Sequence, residues 1–157
     1  MTKFVYAGKY RYALVFRVAD DCDFFTESSN VQLVLTQILR AATEKEFEVT
    51  AYCFMPDHVH LLVEGLSDTA DCKAFIRAAK QYSGYYFAQQ QHRKLWQRYC
   101  YEHVLRDDFE RATTIRYILD NPVTAGLSKR PVDYAFTGSS RYSLEELIQQ
   151  AAPMTSA

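Results

Sequence analysis

Phe54-Met55-Pro56-Asp57-His58-Val59-His60-Leu61-Leu62-Val63-Glu64 contains two strands and the turn between them. Upstream, Glu48 to Met55 alternates as a half-buried strand does. Pro56-Asp57 turns the chain. His58 to Glu64 then resumes as a strand, and so short a connection joins antiparallel neighbours. Side chains two apart on a strand share a face. His58, His60, Leu62 and Glu64 therefore line one side of the hairpin, and Val59, Leu61 and Val63 the other.

Around this hairpin, Tyr10 to Val18 is rich in β-branched and aromatic residues and reads as the first strand. Ser28-Ser29-Asn30 offers helix caps. Val31, Val34, Leu35, Ile38, Leu39 and Ala42 follow with helical period. After the hairpin, Asp68 to about Gln91 reads as a long second helix with Ala74, Phe75, Ala78, Ala79, Tyr82 and Tyr86 on its stripe, weakened by Gly84. Leu95 to Leu105 reads as the fourth strand. Asp107 or Asp108 caps a third helix with the apolar stripe Phe109, Ala112, Ile115 and Leu119. That helix is expected to stop at Asp120 or Asn121, because a residue before proline avoids the α region.

The order β-α-β-β-α-β-α predicts an α+β fold. Its first six elements match a ferredoxin-like split βαβ unit, an antiparallel sheet with two helices on one face. The third helix is an addition toward the C-terminus. From Ala125 onward, Gly126, Pro131, Gly138 and Ser139-Ser140 suggest a tail that wraps the domain, with its last residues expected to be disordered. The length of 157 residues favours a single domain, residues 1–157.

Hydrophobic residues make up 48% and charged residues 24%, as in soluble globular proteins. A formal net charge of -1 excludes a chain that holds nucleic acid by overall positive charge. The distribution is uneven. From Lys73 to Arg106 there are seven cations (Lys73, Arg77, Lys80, Arg93, Lys94, Arg98, Arg106) against one acid, Glu102. A basic stripe on a near-neutral protein suits a polyanion along one face, and it also suits a merely solvated helix. Tyr12 to Phe16 is too short for a signal peptide, and no stretch is long enough to span a membrane. The expectation is a cytoplasmic protein with no membrane partner and with Cys22, Cys53, Cys72 and Cys100 as free thiols. Cys100-Tyr101-Glu102-His103 has zinc-like spacing but no second half, and reads as structural.

Two imidazoles on one strand face are able to grip one ion. On the third helix, Tyr117 and Asn121 are i, i+4 neighbours on a side away from the apolar stripe. Two imidazoles and an amide oxygen leave positions open on a metal, and this donor set suits Mg or Mn, with Zn also compatible with imidazole. An open position can take a phosphate oxygen. A phenol titrates near 10 and is a poor nucleophile until it is positioned in line, where it can attack phosphorus and form a covalent phosphotyrosine.

At these residues the chain resembles the HUH single-tyrosine transposases, and most of all the REP-associated tyrosine transposase branch. The resemblance is carried by Ala51 to Glu64 (AYCFMPDHVHLLVE), Leu95 to Arg106 (LWQRYCYEHVLR), Arg116 to Leu127 (RYILDNPVTAGL) and Phe136-Thr137-Gly138-Ser139-Ser140, in order along most of the chain. It implies a ferredoxin-like core that cleaves single-stranded or hairpin DNA through a 5′-phosphotyrosine and a free 3′-OH, with Mg or Mn as cofactor. It makes Tyr117 the nucleophile and His58, His60 and Asn121 the metal ligands. It places Arg77, Lys80, Arg93 and Arg98 near DNA, and it implies a monomer or a homodimer. Two other readings compete. One is a non-catalytic module that stacks single-stranded bases on a sheet rich in aromatics. The other is a metal phosphoesterase that uses water.

Overall fold

The computed structural model describes residues 7–154. The expected disorder of the last residues falls largely on 155–157, outside the described residues. Five strands, β1 (Arg11–Val18), β2 (Phe47–Met55), β3 (His58–Gly65), β4 (Trp96–Leu105) and β5 (Thr137–Gly138), form one antiparallel sheet in the order β4-β1-β3-β2-β5. The first four strands have the order of a ferredoxin-like split βαβ unit, as the sequence predicts. The helices are α1 (Ser28–Lys45), α2 (Cys72–Gln91), α3 (Asp108–Thr124) and α4 (Leu144–Gln150).

Strand alternation divides the interior in two. Tyr12, Leu14, Phe16 and Val18 of β1 and Val59, Leu61 and Val63 of β3 join α1 and α2 in the larger core. Trp96 anchors this layer. Its ring lies 5.5 Å from that of Phe16 and 5.8 Å from that of Phe25, and its indole N–H donates to the Ser83 hydroxyl at 2.9 Å. Each such buried aromatic contact adds about 0.5–1.5 kcal/mol beyond the burial itself. Gly84, beside Trp96, does not interrupt α2. On the opposite face, Ala51, Cys53, Met55 and Leu62 pack against Ile115, Ile118 and Leu119 of α3 and Leu147 of α4. The histidine face is thus half covered by the added helix.

Several expectations are corrected. Asn30 lies inside the first turn of α1, and its amide donates back to the Phe24 carbonyl at 2.9 Å rather than capping the helix. Phe109 is exposed, because the buried stripe of α3 is Ile115, Ile118, Leu119 and Pro122. Most important, α3 does not stop at Asn121. It carries Pro122 in its last turn, ends at Thr124 with Ala125 as its cap, and is followed by Gly126, where φ is 78°. Gly126 N–H donates to the Val123 carbonyl (3.0 Å) and Leu127 N–H to the Pro122 carbonyl (2.8 Å). This is a Schellman closure, which needs a left-handed residue that glycine supplies without a Cβ clash. Burial of the Pro122 ring offsets the loss of its N–H, so Tyr117 and Asn121 sit on unbroken helix. The wrapping tail acquires structure of its own: β5 pairs with β2, and α4 closes over α3.

Candidate active site

β3 carries the histidines at the turn end of the hairpin. In the pairing of β3 with its neighbours, His58 faces Met55 and Arg17, and His60 faces Cys53 and Val15. Asp57 receives the Nδ1–H of His58 at 2.6 Å. That bond holds one tautomer and leaves the Nε2 lone pair of His58 directed away from the turn. Nε2 of His58 lies 3.2 Å from Nε2 of His60, with the rings nearly perpendicular. Asn121 Nδ2 lies 3.2 Å from the same His60 nitrogen. The Tyr117 ring meets His60 edge-on, 5.4 Å between centroids, and the side chain is otherwise open to solvent.

His60 is 8% exposed. Burial, the neighbouring His58 and Arg17 push its pKa down to about 4, so the imidazole is neutral at pH 7. With the Asn121 amide as placed and both rings neutral, His60 Nε2 can serve either the amide donor or His58, not both. A cation between the two rings would take both lone pairs at once. Two nitrogens about 2.0–2.1 Å from one ion at tetrahedral or octahedral angles lie roughly 2.9–3.4 Å apart, which brackets the observed spacing. Turning the Asn121 amide over presents Oδ1 in place of Nδ2. The donor set therefore fits a divalent ion held by His58, His60 and Asn121. Among the described residues, no group of three His, Cys, Asp or Glu side chains forms an alternative centre. The four cysteines are free, and Cys100 and His103 point to opposite faces of β4.

α3 is fixed over this site by Arg111. Its Nε and Nη2 donate to the two oxygens of Glu64 on β3 at 3.1 and 3.2 Å, and its Nη1 donates to Gln150 of α4 at 2.9 Å. The Thr50 hydroxyl also donates to Glu64. Arg116 Nε binds the Ala152 carbonyl at 2.8 Å, which ties the tail to the helix that bears Tyr117.

The structure thus brings together Tyr117, His58, His60 and Asn121. The cations named from sequence lie elsewhere. Arg77, Lys80 and Arg98 line a shallow groove between α2 and β4, on the side of the sheet away from the histidines. Lys80 donates to the carbonyls of Gln97 (2.7 Å) and Arg98 (3.2 Å), and burial lowers its pKa. Arg93 stacks over Phe24 at 4.9 Å. Sequence reasoning missed Asp57, seen there only as a turn residue, and the pair Arg111–Glu64. The signal for Glu64 was its place on the histidine face.

The model of the "Transposase IS200 like" family matches residues 4–121. The chain belongs to the IS200-like transposase family. Within reach of that family, it is 33% identical to a Haemophilus influenzae protein named as a REP-associated tyrosine transposase, over 60% of this chain and 60% of the relative. The chain thus spans about three-fifths of that relative's length. Its fold is similar to a REP-associated tyrosine transposase solved bound to a REP hairpin, with a TM-score of 0.74 and 19% identity over 87% of this chain and 81% of the other. It is also similar to a Deinococcus radiodurans chain described as a transposase, with a TM-score of 0.55 and 22% identity over 75% of this chain and 95% of that one. In this IS200-like chain, no helix among the described residues is long and apolar enough to cross a membrane.

Proposed function

We propose that this chain is a metal-dependent single-strand DNA endonuclease and strand transferase that forms a 5′-phosphotyrosine. The observation that carries the proposal is the exposed Tyr117 phenol set against His60, with Asn121 one turn further along the same helix. Membership of a transposase family and a fold neighbour solved with hairpin DNA support it.

Tyr117 Oη attacks the phosphorus. The bond from phosphorus to the 3′ oxygen breaks, the phenol proton passes to solvent, and the 3′ oxygen leaves as a hydroxyl after taking up a proton. The phosphodiester is conserved as an aryl ester, so a second 3′-OH can reverse the step. His58, His60 and Asn121 would hold Mg or Mn, which when bound would supply charge stabilisation to the phosphate oxygens. Asp57 keeps His58 in the ligating tautomer. The low pKa of His60 keeps that ring free of a competing proton at neutral pH.

The test is a labelled single-stranded or hairpin oligonucleotide incubated with Mn or with EDTA. A covalent adduct that needs Mn and disappears in Tyr117→Phe, with DNA binding retained, is the expected result. An adduct of undiminished yield in Tyr117→Phe removes the assigned nucleophile. Binding with no cleavage under any metal leaves the non-catalytic module, and cleavage without an adduct leaves the water-using phosphoesterase.

A further inference from the structure

Two clefts flank Tyr117, and they differ in charge. One runs along the outer side of α3 toward Pro153 and Met154, and it holds the ion pair Arg116–Asp120. The other, about 570 Å³, opens between β1, β4 and α3 and is lined by Val15, Arg17, His60, Tyr101, His103 and Tyr117 among others. No carboxylate lines it. Arg17 projects there from β1, opposite His58, and makes no hydrogen bond or ion pair among the described residues. Tyr101 is 59% exposed.

Strand pairing places these groups on a regular grid. Val15 is paired to His60 on one side and to Tyr101 on the other. With neighbouring strands about 4.8 Å apart, Tyr101 stands about 10 Å from His60 along a row across the sheet. One or two nucleotides of single strand cover that distance. Arg17 stands in the adjacent row, beside His58. Cation, aromatic face and spacing are the parts from which single-strand binding sites are made, a charge for the backbone and a ring for the base.

We infer that this cleft is a single-strand DNA subsite, in which Arg17 takes a backbone phosphate next to the one under attack and Tyr101 stacks the neighbouring base. The inference rests on the proposed cleavage at Tyr117, because it assigns the DNA its path to that residue. It differs from the α2–β4 groove, which lies on the other face of the sheet.

The test measures binding without requiring cleavage. Tyr117→Phe protein in EDTA is titrated with a fluorescent single-stranded oligonucleotide across a range of salt. Arg17→Gln in that background is expected to lower the slope of log K against log salt by about 0.7, the loss of one phosphate contact. Tyr101→Leu is expected to weaken binding by roughly 5- to 150-fold, while Tyr101→Phe keeps it, because stacking needs the ring and not the hydroxyl. An unchanged slope in Arg17→Gln, or undiminished binding in Tyr101→Leu, overturns the subsite. Thermal unfolding of each variant checks that these exposed substitutions leave the fold intact. The adduct assay on the unsubstituted chain reads the cleavage proposal separately. An adduct with no effect at Arg17 or Tyr101 removes the subsite alone, and the two binding effects without an adduct remove the cleavage alone.

Discussion

Replacing Arg111 by methionine tests whether one ion pair holds the nucleophile's helix to the sheet. The Arg111 and Glu64 side chains are 17% and 19% exposed and meet through two parallel hydrogen bonds. Removing one member of a fully buried pair costs about 3–5 kcal/mol, most of it from the charge left behind. With about a fifth of each side chain in water and Thr50 still donating to Glu64, the expected loss is about 2–3 kcal/mol. In a domain of this size that lowers Tm by roughly 4–12 °C. The assay is urea and thermal unfolding of Arg111→Met, of Glu64→Gln and of the double variant. Neutralising both partners removes the stranded charge, so the double variant is expected to recover a good part of the loss in Arg111→Met. Below the midpoint of unfolding, Arg111→Met is also expected to form its DNA adduct more slowly, because α3 is freed at the end from which Tyr117 is aimed. A loss under about 0.5 kcal/mol, the scale of an exposed surface pair, would refute the reasoning. So would strict additivity in the double variant.

Gly65→Ala is expected to lower Tm, since the added Cβ would lie 2.1 Å from the Gly8 carbonyl oxygen and must displace a backbone segment held by the Gly8 N–H bond to the Ala70 carbonyl; thermal unfolding followed by circular dichroism reads this. Stability without metal is expected to fall as pH drops from 6.5 toward about 4. Over that window the unfolded chain protonates at His60 and the folded chain does not, at a cost of up to about 3 kcal/mol. The His60→Gln variant loses this part of the pH dependence, as unfolding curves at pH 7 and pH 4.5 would show. Asn121→Ala is expected to weaken Mn binding at least tenfold by calorimetry, with the far-UV spectrum unchanged. Equal affinity in that variant would remove Asn121 from the ligand set.

Much of this was legible because it is local. The alternation of β3 declared both its faces, and the proline turn declared the hairpin. The i, i+4 spacing put Tyr117 and Asn121 on one side of α3. What was missed depends on distant neighbours or on competing local rules. The avoidance of the α region before proline was outweighed at Asn121, because Pro122 is buried and Gly126 four residues on closes the helix. Phe109 fits the helical period but is exposed on the outer side of α3, where it lines the cleft toward Met154. Arg17 acquires its meaning only from the pairing of β1 with β3, which no single-strand pattern contains. The basic stripe was real in sequence, yet α2 and β4 carry much of it to the face that lacks the imidazoles.

β3 has two duties interleaved at single-residue pitch, with oil-facing valines and leucine alternating with imidazoles and a carboxylate. If the pairing with β1 and β2 holds its register, inserting or deleting one residue before His58 transposes the two sets along the whole strand. The imidazoles would enter the aromatic layer, and the valines would take their place beneath Tyr117. Point substitutions can separate chemistry from folding here, but a frame change of one position cannot. Length in this segment is therefore under a stricter constraint than identity.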